Sequence, residues 1–393
     1  MIQLADRTRA ISPSMTLTIS SRAKAMRAAG VDVCNFGVGE PDFNTPSHIR
    51  QAAKAALDAG KTKYAPAGGL PRLRELIAEK LKRENNLPYR PEQVMVSTGG
   101  KQALFNVLLT ILGPGDEALI PIPYWVSYPE IVKLARARPI YLPTTEETGF
   151  KITPSQLDAA VARDASSHQE RALILNSPAN PSGLIYTPGE IRALAEVAVA
   201  RKISVLSDEI YEKLIYDGAK HLSIGSLGDE IFDLTITCNG FSKAFAATGW
   251  RLGYAAGPTH IIQAAVNIQS HSTSGANTFA QYGAIAALEG PLDEVEQMRQ
   301  EFKRRRDLML EGINAIPGLS CARPQGAFYV FPNISATGLD STTFCQRLLD
   351  EQHVAIVPGI AFGADGNVRL SYATDRGTIE KGVGRLDRFV RSL

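Results

Sequence analysis

Short β-branched or apolar runs alternate with amphipathic helical patterns through the first two thirds of this chain, and that alternation narrows the possible folds sharply. The runs lie at 93–97, 118–122, 172–175, 203–206 and 234–237, most of them bounded by Gly, Pro, Asn or Asp. Over 101–112, Leu104, Val107, Leu108 and Ile111 follow i, i+3, i+4, i+7 spacing, and Gly113-Pro114-Gly115 stops the pattern. A second helix is expected over 71–84, opened by Pro71, with Leu73, Leu76, Ile77 and Leu81 on one face. Strands alternating with helices imply an α/β fold, a largely parallel buried sheet covered by helices. Past about residue 281 the texture changes to a long charged helix near 292–316 and short strands near 327–331 and 354–357. That tail predicts a second, smaller α+β domain.

Composition excludes several functions. Among 393 residues, 42 Lys plus Arg against 40 Asp plus Glu leave a net charge of +2, which gives no support for nucleic-acid or membrane-surface binding. No apolar stretch approaches the ~18 residues that span a bilayer. The first 16 residues carry Asp6 and no apolar core, unlike a signal peptide, so a cytosolic protein is expected. Cys34, Cys238, Cys321 and Cys345 are far apart and the six histidines are scattered, so neither a disulfide framework nor a metal site is expected. Any difficult chemistry should then come from an organic cofactor.

Several motifs fail on inspection. Gly37-Val38-Gly39-Glu40-Pro41-Asp42 lacks the third glycine of a dinucleotide fingerprint, and Gly100-Lys101-Gln102 lacks the Ser or Thr of a phosphate-binding Walker loop. Lys303-Arg304-Arg305-Arg306 reads as a solvated helix face. The polar residues at strand ends remain. The first strand runs into Ser97-Thr98-Gly99-Gly100-Lys101, a glycine loop opening a helix, which suits a phosphate. Later strands end in Asn176 to Asn180, in Asp208-Glu209-Ile210-Tyr211, and in Asn239-Gly240-Phe241-Ser242-Lys243 with Arg251 beyond. Ligands of open α/β sheets bind at such ends.

With these residues in place, the chain resembles the class I, fold-type I aminotransferases that use pyridoxal phosphate, and among them the bacterial aspartate aminotransferases. The matching stretches run from Asn35-Phe36-Gly37-Val38-Gly39-Glu40-Pro41-Asp42 to Val368-Arg369-Leu370-Ser371-Tyr372. Between them stand Lys63-Tyr64, Tyr124-Trp125, Asn180-Pro181, Asp208 to Tyr211, Ser242-Lys243 and Arg251. The resemblance implies a large domain with a seven-stranded, mostly parallel sheet over 47–285. It implies a smaller α+β domain over 286–393, and an N-terminal arm with part of the small domain over 1–46. Lys243 would bond to the cofactor aldehyde and carry the proton between substrate Cα and cofactor. Asp208 would pair with the pyridine nitrogen, Asn180 and Tyr211 with the phenolic oxygen, and Trp125 would stack on the ring. Gly99, Gly100, Lys101, Ser242 and Arg251 would hold the phosphate. The family often has Ser three residues before the lysine, where this chain has Gly240. Arg369 would clamp the substrate α-carboxylate near Gly39; a sheet-edge salt bridge is the other reading of an Arg in such a strand.

The resemblance also implies a homodimer in which Tyr64 reaches the neighbouring subunit's phosphate. Animal-type relatives use a partner arginine for the second carboxylate of aspartate, but 270–277 contains no Arg. In the bacterial subgroup Lys101 takes that role, helped by Ser14 and Thr16; alternatively Lys101 serves only the phosphate region. The expected substrates are amino acids and 2-oxo acids: aspartate with 2-oxoglutarate, and prephenate as a second acceptor. An alanine or aromatic aminotransferase, or a pyridoxal phosphate lyase on the same fold, shares Lys243, Asp208 and Arg369. A regulator built on this fold would need an additional DNA-binding domain, and only about 30 residues precede the first matched motif.

Overall fold

The computed structural model describes residues 2–162 and 170–393. Its strands are β1 (Cys34–Asn35), β2 (Val94–Ser97), β3 (Glu117–Pro121), β4 (Arg138–Leu142), β5 (Arg171–Asn176) and β6 (Ser204–Asp208). They continue as β7 (Thr235–Gly240), β8 (Gly253–Ala256), β9 (Tyr329–Val330), β10 (Val354–Ala355), β11 (Val357–Pro358) and β12 (Val368–Ser371). Seven of them form one sheet in the order β2-β8-β7-β6-β5-β3-β4. Its strands from β7 across to β4 pair in parallel, whereas β8 is antiparallel to both β7 and β2.

Side chains that alternate along a strand give this sheet two apolar faces, each covered by helices. Val94 and Val96 pack with Leu73, Ile77 and Leu81 of the helix Pro71–Asn85. Met95 faces the other way, into a core with Leu104, Val107 and Leu108 of the helix Gly100–Ile111. Both helices lie within a residue of their predicted bounds. Leu173 and Val205 likewise enter a third core that Ile174 and Leu206 do not share.

The C-terminal part builds on the helix Asp293–Asn314 and a three-stranded sheet, β11-β12-β9. The predicted strand near 354–357 is in fact two: β10 pairs in parallel with β1, and β11 pairs antiparallel with β12. Cys34 and Phe36 thereby join the core of Phe302, Phe328, Phe344 and Phe389. The expected boundary after 285 falls inside the helix Thr278–Glu289.

The basic run is not a uniformly solvated face. Arg305 and Arg306 are buried; Arg305 meets Asp42 at 2.7 Å, and Arg306 meets Asp217 at 2.7 Å while lying over the Tyr216 ring. At about 100° per residue, a helix that exposes 303 and 304 must turn the next two toward the core beside Phe302 and Met309. All four cysteines are free, and three are buried. Among the described residues no helix is long and apolar enough to cross a membrane.

Candidate active site

Parallel strands end on one edge of a sheet, and an antiparallel neighbour begins there. In register, Asn176 lies beside Asp208 and Asp208 beside Cys238, while Gly253 at the start of β8 lies beside both Ser97 and Gly240. The topology therefore gathers at one edge Gly99 to Lys101 after β2, Trp125 after β3, Asn180 after β5, Asp208 ending β6, Ser242-Lys243 after β7 and Arg251 before β8. A cavity of about 530 Å³ opens there, lined also by Thr16, Gly39, Tyr211 and Arg369.

Two glycines allow the backbones to meet. A Cβ on Gly253 would lie 2.2 Å from the Gly100 nitrogen, and one on Gly99, whose φ is +89°, would lie 2.5 Å from Arg251 Nη2. The amides of Gln102 and Ala103 turn back to the Gly99 carbonyl, while those of Gly100 and Lys101 donate to no group among the described residues. Arg251 donates to the Thr248 carbonyl at 2.9 Å and has no acidic partner among the described residues. Two free amides at a helix start and an unpaired guanidinium make an anion cradle. A Cβ on Gly240 would come within 3.0 Å of Gly253 Cα and Leu252 O, so the close pairing of β7 with β8 leaves little room for a serine there.

Lys243 Nζ donates to the Gly39 carbonyl at 2.6 Å, and burial together with Arg369 lowers its amine to about 8. Asp208 is buried and accepts from Tyr128 Oη at 2.6 Å; burial raises its carboxyl to about 6, with Tyr128 opposing. Tyr211 and Tyr329 share a hydroxyl–hydroxyl hydrogen bond of 2.9 Å. Arg369 donates to Asn180 Oδ1 at 2.9 Å and to the Gly37 carbonyl at 3.0 Å, while its Nε has no partner among the described residues. It has no acidic partner among the described residues and sits in the central strand of its sheet, so it is not the sheet-edge salt bridge considered above. Lys101 Nζ lies 4.9 Å from the Trp125 ring centre, with burial and the Arg251 charge lowering its pKa.

Three expected residues are not in the lining. Gly99 stands behind it against Arg251, the Ser14 hydroxyl bonds that of Thr16 at 2.9 Å, and Tyr64 is 94% exposed on a separate surface loop. Tyr128 and Tyr329 were not anticipated; each reads in sequence as an ordinary aromatic of an apolar stretch, and only the tertiary fold aims their hydroxyls at Asp208 and Tyr211.

Residues 31–386 match the family described as aminotransferase class I and II. The chain belongs to that family. It is 48% identical over 394 residues to an aspartate aminotransferase of Bacillus subtilis, with 99% of each chain covered. It is 44% identical to an aspartate/prephenate aminotransferase of Cereibacter sphaeroides, with all of each chain covered. A Thermus thermophilus aspartate aminotransferase solved with maleate superposes with a TM-score of 0.94 at 45% identity, covering 99% of this chain and 100% of that one. Aminotransferases of this family depend on pyridoxal phosphate. The cavity suits that group chemically: an anion cradle, a buried carboxyl, a lysine of lowered pKa and an indole meet in one space.

Proposed function

We propose that this aminotransferase moves an amino group from aspartate to 2-oxoglutarate, giving oxaloacetate and glutamate, and that prephenate is a second acceptor. The observation that carries the dicarboxylate reading is the pairing of two cations in one cavity: Arg369, without an acidic partner among the described residues, and Lys101 against Trp125. The names of the Bacillus and Cereibacter relatives support it.

In this reading Arg369 binds the α-carboxylate bidentately, and Lys101, with Thr16 and Ser14 behind it, takes the distal carboxylate. Gly100, Lys101, Ser242 and Arg251 hold the cofactor phosphate; Gly99, expected among them, donates its amide to the Ser97 carbonyl at 2.8 Å and serves only to let Arg251 approach. Asp208, kept in place by Tyr128, holds a proton at the ring nitrogen, and Asn180 and Tyr211 bond the phenolic oxygen. Pyridoxal phosphate, when bound, supplies a carbonyl that combines with amines and a ring that accepts the electron pair left at Cα. Lys243 Nζ takes the Cα proton and returns it on the cofactor side, and Trp125 covers one ring face. The enzyme is a cytosolic homodimer in which Tyr64 completes the partner's phosphate site. The N-terminal arm with 1–46 belongs with the small domain, and the large domain closes after the helix that ends at Glu289.

Lys101→Ala tests the specificity. It should raise KM for aspartate about a hundredfold, and that for alanine by no more than about threefold, because only the dicarboxylate loses a partner. Equal losses would assign Lys101 to the cofactor alone.

A further inference from the structure

The segment 208–212 faces two ways. Asp208 and Tyr211 line the cavity, whereas Glu209 and Glu212 point into a buried polar cluster that the proposed reaction does not touch. Glu209 is 1% exposed, and its carboxylate accepts from Ser207 Oγ at 2.9 Å, Ser223 Oγ at 2.7 Å, His221 Nε2 at 2.9 Å and Asn85 Nδ2 at 3.3 Å. Glu212 accepts from Lys80 and, at 2.6 Å, from Asn85 Nδ2. Burial disfavours charge on His221, but Glu209 and Glu212 outweigh it and hold its pKa above the usual value. Glu84 and Lys213 pair at the cluster's rim. Glu209, Glu212 and His221 are close enough to hold a metal ion, yet the Lys80 ammonium already supplies the cation.

Well-packed apolar side chains would often stabilise such a site as well as paired charges do, so stability alone does not explain the cluster. Its donors come from the end of β6, from the helix Pro71–Asn85 and from the loop carrying His221 and Ser223, and they converge on the turn that follows Asp208. That turn is pinned by Glu209 N to Cys238 O at 2.9 Å and by Glu212 N to Glu209 O at 3.0 Å.

We propose that Glu209 is a positioning residue: held by Ser207, Ser223, His221 and Asn85, its carboxylate fixes the turn so that Asp208 and Tyr211 meet the cofactor from the cavity side. This rests on the reading of those two residues as cofactor partners. The readout is the pH midpoint of the holoenzyme's visible absorbance. Tyr211, by donating to the phenolic oxygen, weakens that oxygen's hold on the proton at the Lys243 nitrogen, so a displaced Tyr211 raises the midpoint. Ser223→Ala removes one donor to Glu209 without changing any charge, and should raise the midpoint by about half a pH unit. Glu209→Gln should lower kcat about tenfold while leaving the affinity for a non-reacting dicarboxylate, succinate, within about twofold, because Arg369 and Lys101 are untouched. Tyr211→Phe, run in parallel, should raise the midpoint by about one unit or more. If Tyr211→Phe moves the midpoint and Ser223→Ala does not, whatever its melting temperature, positioning by Glu209 is overturned and the site reading stands. If Tyr211→Phe leaves it unmoved, the site reading fails and the positioning role with it. Should Glu209→Gln fail to fold, Ser223→Ala alone decides.

Discussion

An amine that attacks a carbonyl near neutral pH must first lose its proton, and burial beside Arg369 and Arg251 does this for Lys243. With a pKa of about 8, roughly one amine in ten is free at pH 7, against fewer than about one in a thousand for an ordinary lysine. Because the pKa is lowered, the reactive fraction rises with pH and levels once the amine is fully neutral. Covalent capture of pyridoxal phosphate by the apoenzyme, followed by stopped-flow absorbance, should therefore reach half its maximal rate near pH 8 and level off about one to one and a half units higher. A rate still climbing toward the ordinary lysine range would contradict this. Lys243→Ala should keep the fold, lose the visible band and lose about 10⁴-fold or more in turnover; circular dichroism and a coupled assay read both.

Two elements carry the site and differ in how far their sequences announce them. The helix Gly100–Ile111 is plain from its spacing and from the glycines before it. β8 is not: Gly253-Tyr254-Ala255-Ala256 has weak strand propensity and becomes a strand because β2 and β7 bury it from both sides. β4 hides for another reason, since Pro139 interrupts its pattern, as an edge strand allows. Lys243, Asp208 and Arg369 were legible because each stands in a motif with fixed neighbours. Tyr128 and Tyr329 were not, because their roles depend on hydroxyl contacts 80 and 118 residues away in sequence. Gly253→Ala tests the contact that joins the two elements. Its Cβ would meet backbone at Gly100, which no rotamer change relieves, so we expect a loss of about 3 kcal/mol and weaker cofactor binding. Gly189→Ala, with open space at its Cβ, is the control and should be neutral by thermal melting.

At the scale of the whole molecule, Tyr64 is a large aromatic left 94% exposed on a loop bordering Thr273 and Asn277. The shared active site proposed above would account for it. Mixing Tyr64→Phe with Lys243→Ala subunits should give more activity than either parent, because some heterodimers keep one intact site. Mass spectrometry would verify exchange; no recovery despite exchange would count against sharing. The reaction itself is tested most directly by supplying the holoenzyme with aspartate and 2-oxoglutarate and following both products. Oxaloacetate and glutamate should appear in equal amounts, and only when both substrates are present. Consumption of aspartate that releases ammonia and forms no glutamate would contradict amino transfer and point to a lyase.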